Sequence, residues 1–142
     1  MSGWGSLRAD YAGLQFVLSP DATDIELGNA VLLALSKSRI VHPDSDPELF
    51  DNIKVAERYS SWIADLMNAF GYRTKTNMFK GMKSPDVEVR NGQITIMPTK
   101  RERGEGFGPT LRREKDHVHL PANSSPEELG AAIRLGLERC IG

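Results

Sequence analysis

The segment ELGNAVLLALSKS, from Glu26 to Ser38, returns as ELGAAIRLGLERC, from Glu128 to Cys140, a constant 102 positions later. A chain that writes one segment near both ends constrains its fold strongly. Leu27, Ala30, Val31, Ala34 and Leu35 fall at i, i+3, i+4, i+7 and i+8, and Leu129, Ala132, Ile133, Gly136 and Leu137 occupy the same register. Each set is one apolar stripe of an amphipathic helix. Thr23 with Glu26, and Ser125 with Glu128, have the spacing of a capping box, and Pro126 stands at the tolerated first helical position. Gly28 and Gly130 recur at the same place although glycine costs about 1 kcal/mol in a helix relative to alanine. Such a cost, met twice, predicts a close approach to the backbone there, and a strand is the expected neighbour. Upstream of each helix, Leu14, Phe16 and Leu18 match Val118 and Leu120 in an alternation typical of a half-buried strand. Two strand-helix units related by pseudo-repeat are therefore expected, both helices lying on one sheet.

Between these units, Asp46 and Pro47 open a long helical stripe of Val55, Tyr59, Trp62, Ile63, Leu66, Met67 and Phe70, which Gly71 closes. This helix is expected to cover much of the sheet. Residues Tyr72 to Met82, YRTKTNMFKGM, read as a strand. In DVEVRNGQITIMP, Asn91-Gly92 joins two alternating runs, the signature of a tight type I′ hairpin, and Pro98 ends the second strand or puts it at an edge. The 17 residues from Thr99 to Lys115 hold three glycines among mixed charges and read as a loop or irregular excursion. The predicted architecture is α+β: a largely antiparallel sheet of about five strands with three main helices packed on it. Residues 1–10, including Trp4, read as a flexible N-terminal segment, and residues 11–142 as a single domain.

Composition excludes some functions. The 142 residues carry a net charge of −1, which argues against a general nucleic-acid binder. No apolar run approaches the roughly 20 residues of a membrane span, and the first residues lack the pattern of a signal peptide. The single cysteine, Cys140, cannot form an internal disulfide, so the cytoplasm is the expected compartment. Cys140 lies on the apolar register of the last helix and reads as a small core residue.

Chemistry is sparsely signalled. His117 and His119, two apart in a strand, share a face and could reach one metal, but no cysteine or carboxylate cluster supplies a third ligand. No metal or other cofactor is expected. GEGFG, Gly104 to Gly108, is neither a P-loop nor a dinucleotide fingerprint, and Glu102, Glu105 and Glu114 would oppose an anion. No recognised nucleophile, zinc-protease or dithiol motif is present, so the chain does not read as an enzyme. Asp44, Asp46, Glu48 and Asp51 form an acidic cluster with two readings. One is a loop and helix start whose carboxylates favour the dipole; the other is an anionic docking patch for a basic partner. Arg101, Arg103, Glu105, Phe107, Arg112 and Arg113 mark the long loop as the second candidate contact region.

The stretch LSPDATDIELGNAVLLALSKSR, Leu18 to Arg39, with the closing LPANSSPEELGAAIRLGLERC, resembles the immunity proteins of contact-dependent growth inhibition, the CdiI type. The resemblance rests on the aspartate-rich turn, the ELG helix start and the ALSKSR helix end, and extends from about Tyr11 onward. It implies a small cytoplasmic α+β protein that binds the C-terminal toxin domain of a large surface-delivered polypeptide, commonly a nuclease, and neutralises it by blocking the active site or a nearby surface. It carries over no binding residue, since such proteins differ most where they touch their partners. The net charge is less acidic than nuclease inhibitors often show, which leaves the toxin class open. The alternative from the residues alone is an RNA-binding or RNA-processing protein using the basic loop with His117 and His119. A scaffold or subunit of another complex is the third reading.

Overall fold

A computed structural model describes residues 9–142. Of the segment expected to be flexible, residues 1–8 lie outside the described residues, Trp4 with them. In chain order the elements are α1 (Asp24–Lys37), α2 (Pro47–Phe50), α3 (Asn52–Phe70), α4 (Lys75–Phe79), β1 (Asp86–Arg90), β2 (Gln93–Met97), β3 (Thr99–Arg101), β4 (Phe107–Pro109), a 3-10 turn (Arg113–Asp116), β5 (Val118–Pro121) and α5 (Pro126–Arg139). The fold is α+β, as expected, with α1, α3 and α5 as its three main helices.

Both capping boxes form. Thr23 Oγ1 accepts from the Glu26 amide while the Glu26 carboxylate accepts from the Thr23 amide, and Ser125 and Glu128 repeat the exchange. The two repeat helices pack on each other. A methyl group at Gly28 would meet the Pro126 carbonyl, and one at Gly130 would meet the Asp24 carbonyl. Shifting 24 and 28 by 102 gives 126 and 130, so the two contacts are one contact seen from both sides of a pseudo-two-fold axis. The close approach is therefore present at both glycines, but the neighbour is the partner helix and not a strand. Arg134 secures the pair by donating to Asp24 Oδ1 at 2.6 Å and to the Ala22 carbonyl.

The sheet is divided. β1, β2 and β5 form a three-stranded antiparallel sheet with β2 central, and β3 with β4 forms a separate hairpin. Asn91 (φ 50°) and Gly92 (φ 75°) make the tight turn the sequence predicts. Register aligns Val87 with Ile96 and Val118, and Val89 with Ile94 and Leu120. Ile94, Ile96, Leu129 and Ile133 form the first core, with Leu27, Val31 and Leu137 against it. A methyl at Gly136 would meet Ile96, so α5 lies directly on the central strand.

Five expectations differ from the structure. Leu14 to Leu18 forms no strand, so only the second repeat unit is a strand followed by a helix. Tyr72 to Met82 is not a strand; Thr74 caps α4, whose Met78 and Phe79 are both buried. Adjacent residues cannot share one face of a strand, but one helical turn can direct both inward. The long helix is broken at Asp51, which accepts from the amides of Ile53 and Lys54 and so starts α3 afresh after the short α2. α3 also does not cover the three-stranded sheet. Its Ile63 packs with Met78 and Phe79 in a second core that Tyr59, Leu66, Met67, Met82 and Phe107 border. Finally, the excursion from Thr99 to Lys115 contains the β3–β4 hairpin, turned at Gly104 (φ 83°).

The C-terminus joins the two cores. Cys140 is buried at the end of α5, where its Sγ accepts from the Thr99 amide at 3.4 Å. Ile141 then runs parallel beside β3, exchanging backbone hydrogen bonds with Thr99 and Arg101.

Candidate partner-binding site

The acidic cluster resolves into three carboxylates engaged within the fold and one, Asp44, exposed beside His42 at 3.4 Å. Asp46 caps α2 through the Leu49 amide; its two carboxylate oxygens share the single Tyr11 hydroxyl proton, at 2.9 and 2.8 Å, and it accepts from Arg39 at 3.0 Å. The Tyr11 hydroxyl first, then Arg39 and the Leu49 amide, hold its carboxyl below the ordinary carboxylate range. Arg39 also binds Asp10 at 2.5 Å and, with the Ala12 amide, brings that carboxyl down to about 2. Arg58 lies 4.4 Å over the Tyr11 ring, a favourable cation–π geometry. Glu48 pairs with Lys54 and Arg58, each at 3.3 Å. Asp51 is the α3 cap. Asp44 alone stands out in solvent, its side chain 92% exposed beside His42.

The hairpin residues divide similarly. Phe107 is half-buried against Phe79 and belongs to the second core. Glu105, near the hairpin tip, accepts from the Tyr59 hydroxyl at 2.5 Å and pairs with Lys75 at 3.1 Å. Tyr59 and Lys75 hold the Glu105 carboxyl down, while burial and then Glu105 push the Tyr59 phenol up to about 12. Arg101 donates to the Gly104 carbonyl at 3.3 Å, and its buried Nε has no partner among the described residues. Arg112 pairs with Asp116 at 3.5 Å. Arg103 and Arg113 are exposed, and Arg113 opens the 3-10 turn with φ 48°.

The structure brings the acidic cluster and, from the second region, Glu105 and Phe107 to one helix, whereas Arg112 lies beside Asp116, whose carbonyl accepts from Arg139 of α5. The acidic cluster sits at the N-terminal end of α3, and Glu105 meets Tyr59 eight residues further along, about 12 Å by helical rise. α3 also exposes large apolar residues on more than one of its faces, which sequence reasoning missed. Ile53 is 72% exposed and, with Asn52, Ala56, Glu57 and Ser60, lines a shallow depression. Trp62 and Phe70, expected in a core, are 42% and 56% exposed. The missed signal was Ile53 itself, a large apolar residue lying off the main stripe.

His117 and His119 do share a face, with ring centroids 6.0 Å apart, and His119 Nδ1 lies 3.1 Å from Thr95 Oγ1. Among the described residues no group of three or more histidine, cysteine, aspartate or glutamate side chains could hold a metal ion, and no helix is long and apolar enough to cross a membrane.

By its fold the chain is a small α+β protein in which two terminal helices interlock over an antiparallel sheet and a second helical core carries the candidate contact groups. The family model for CdiI, CDI immunity protein, matches residues 1–140. The chain belongs to this family, the immunity proteins of contact-dependent growth inhibition. It is 42% identical over 153 aligned positions to immunity protein CdiI-YPIII of Yersinia pseudotuberculosis serotype O:3 (strain YPIII), covering 99% of this chain and 86% of that protein. Among solved structures it resembles a chain of the CdiA-CT/CdiI toxin and immunity complex from Yersinia pseudotuberculosis, with TM-score 0.87 and 40% identity, over 95% of this chain and 84% of that one. It also resembles a protein of unknown function from Neisseria meningitidis, with TM-score 0.80 and 36% identity, over 88% of this chain and 76% of that one.

Proposed function

We propose that this protein binds the C-terminal toxin domain of a cognate CdiA-type effector in the cytoplasm and neutralises it by occlusion, acting as a binder and not as an enzyme. The observation that carries the reading is the 0.87 TM-score, at 40% identity, with a chain of a toxin and immunity complex. The proposed contact surface takes in the N-terminal end of α3, with Asp44, Asp46, Glu48 and Asp51, and the 99–115 excursion, with Arg101, Arg103, Glu105, Phe107, Arg112 and Arg113. Within it the engaged groups hold the shape, and Asp44, Arg103 and Arg113 are the charges available to a partner. The toxin is proposed to be a nuclease. That reading follows from the family resemblance alone: the available charges are of both signs, and such charges steer association with a partner of complementary pattern.

The test is coexpression of this chain with the toxin domain encoded beside it. The expected outcome is copurification as a one-to-one complex, protection from growth arrest, and loss of nucleolytic activity on adding the purified protein. Replacing Asp44, Arg103 and Arg113 together by residues of opposite charge is expected to slow association more than tenfold without changing the melting temperature. Failure to copurify, with growth arrest unrelieved, would sink the reading. RNA binding by the purified protein alone, falling steeply with salt, would instead favour the RNA alternative.

A further inference from the structure

The three-stranded sheet has one face under α5, where Gly136 meets Ile96. Its other face carries side chains that neither core takes up. Ile94 and Ile96 point into the first core, so Thr95 and Met97 of β2 point the other way. Register sets Glu88, Thr95 and His119 in one row across that outer face, and Asp86 opposite Met97. Continuing the β2–β5 register by one residue places His117 opposite Met97. The His117 backbone is extended (φ −61°, ψ 146°), and its ring shares the face with that of His119, centroids 6.0 Å apart. Met97 is half-buried yet belongs to neither core. A thioether and two imidazoles therefore meet on neighbouring strands. Facing Cβ atoms in such a pair lie about 5 Å apart and diagonal ones roughly 7 Å, within reach of side chains this long.

We propose that Met97, His117 and His119 bind one soft transition-metal cation of the Cu(I) type. Imidazole suits copper, and a thioether selects its monovalent state over harder divalent ions. The geometry is close to that of chelation. Two imidazoles on one ion, with metal–nitrogen bonds of about 2.0 Å and a trigonal or tetrahedral angle, have ring centres roughly 5–5.5 Å apart. Side-chain rotation alone brings the observed 6.0 Å to that separation. The ligands are also held in place. Thr95 Oγ1 lies 3.1 Å from His119 Nδ1. With Nδ1 protonated, the hydroxyl accepts from it and Nε2 keeps the lone pair that binds the ion. Arg139 of α5 donates to the His117 carbonyl and fixes the strand at that ring. Asp86 and Glu88 stand on the same outer face, on β1. Two strand spacings, about 9.5 Å, separate β1 from the histidines, too far for these carboxylates to complete a hard-ion site with them. They are near enough to favour a cation, and since Glu88 is paired with Arg90 at 2.7 Å, Asp86 supplies most of that attraction. The third ligand that neither cysteine nor carboxylate provides is thus a methionine. The inference does not rest on the toxin-binding reading.

Titration of the full chain with Ag+, a redox-inert substitute for Cu(I), in chloride-free buffer tests the proposal. The readout is NMR of the histidine rings and methionine methyl groups. Signals of Met97, His117 and His119 are expected to shift and saturate together, while His42, the third histidine, stays still. Cys140 also offers soft sulfur, but silver taken at that buried thiol leaves the two rings unmoved. Met97→Leu keeps the side-chain volume and is expected to weaken Ag+ binding at the rings by roughly tenfold or more, leaving the weaker Zn2+ binding of the histidine pair unchanged. Thr95→Val, which removes only the hydroxyl that positions His119, is expected to weaken Ag+ by about tenfold, whereas Thr95→Ser retains it. Met97 and Thr95 lie outside both cores, and an unchanged far-ultraviolet dichroism spectrum checks that the variants fold. Silver bound at Cys140 alone, or no shift of the two rings up to about 1 mM Ag+, overturns the proposal. So does Ag+ binding that Met97→Leu leaves intact, or Zn2+ bound as tightly as Ag+.

Discussion

Gly28 and Gly130 stand where each repeat helix meets the first turn of the other, and their cost in helix propensity is offset by what their missing side chains permit. With no Cβ, each lets the first turn of the other helix approach backbone to backbone, and the obstacle to a larger residue is a carbonyl that cannot rotate away. Gly28→Ala and Gly130→Ala each gain about 1 kcal/mol in helix propensity. Each loses about 3 kcal/mol to overpacking, the upper end of its usual range. The net expectation is a loss of about 2 kcal/mol, or roughly 5–10 °C in melting temperature by calorimetry. The double variant should lose less than the two together, because one wedge already separates the helices. Additive losses would mean that the two glycines do not share one contact. That something approaches both glycines was legible from the repeated cost. Its identity was not, because helix spacing reports which face is inward and not what lies there. Asp46 and Asp51 show the same limit. The capping role of Asp46 was readable, whereas that of Asp51 lay hidden inside one expected helix, and the Tyr11 and Arg39 partners of Asp46 come from 35 and 7 residues away and leave no local mark.

The β3–β4 hairpin is an element of short strands fastened at its tip to two helices. Tyr59 of α3 and Lys75 of α4 both reach Glu105, and Lys75 also lies 5.8 Å from the centre of the Tyr59 ring. This latch predicts a phenol that titrates late. Tyr59 is pushed up to about 12, by burial first and by Glu105 second. Absorbance titration should show one tyrosine ionising near that value, and Glu105→Gln should move it down, leaving the part due to burial. The signs of the linked stabilities differ. The raised phenol contributes stability in full below its ordinary pKa near 10, and that contribution is lost as pH rises towards 12. The lowered Glu105 carboxyl contributes above its ordinary value near 4.5 and loses its contribution as pH falls below that. A tyrosine titration indifferent to Glu105→Gln would refute the latch. Elements of this length are where the sequence was least informative. The capping boxes, the Asn91-Gly92 turn and the Gly71 stop are set by adjacent residues and were legible. β3 and β4, three residues each, hold through the latch, Phe107 and Ile141, all distant in sequence. Leu14 to Leu18 shows the reverse case: a correct local pattern without the neighbouring strand that would make it a strand.

At the scale of the whole molecule the notable quantity is surface. A compact chain of 15.7 kDa exposes about 7,300 Å², and this one exposes 10197 Å². Residues 1–8, even counted as wholly exposed chain at roughly 1.45 Å² per dalton, take about 1,300 Å² of that. The remainder leaves on the order of 1,500 Å² more than a compact fold shows, against about 800 Å² per partner in a standard interface. α3 contributes to that excess: 19 residues long, it fully buries only Ile63, in a second core built with α4 and the β3–β4 hairpin. Such a body is stabilised by whatever covers it. If the cognate toxin binds the α3 surface with a dissociation constant on the order of 1 nM, a 10 µM excess adds about 5.5 kcal/mol, which raises the melting temperature by roughly 15 °C. The gain should be uneven. Amides of α3, α4 and residues 99–115 should show the largest increase in hydrogen-exchange protection, while the interlocked α1 and α5, already packed, change little. A non-cognate toxin domain at equal concentration should leave the melting temperature unmoved. Protection concentrated on α1 and α5 would place the contact on the repeat helices and remove α3 as the binding surface.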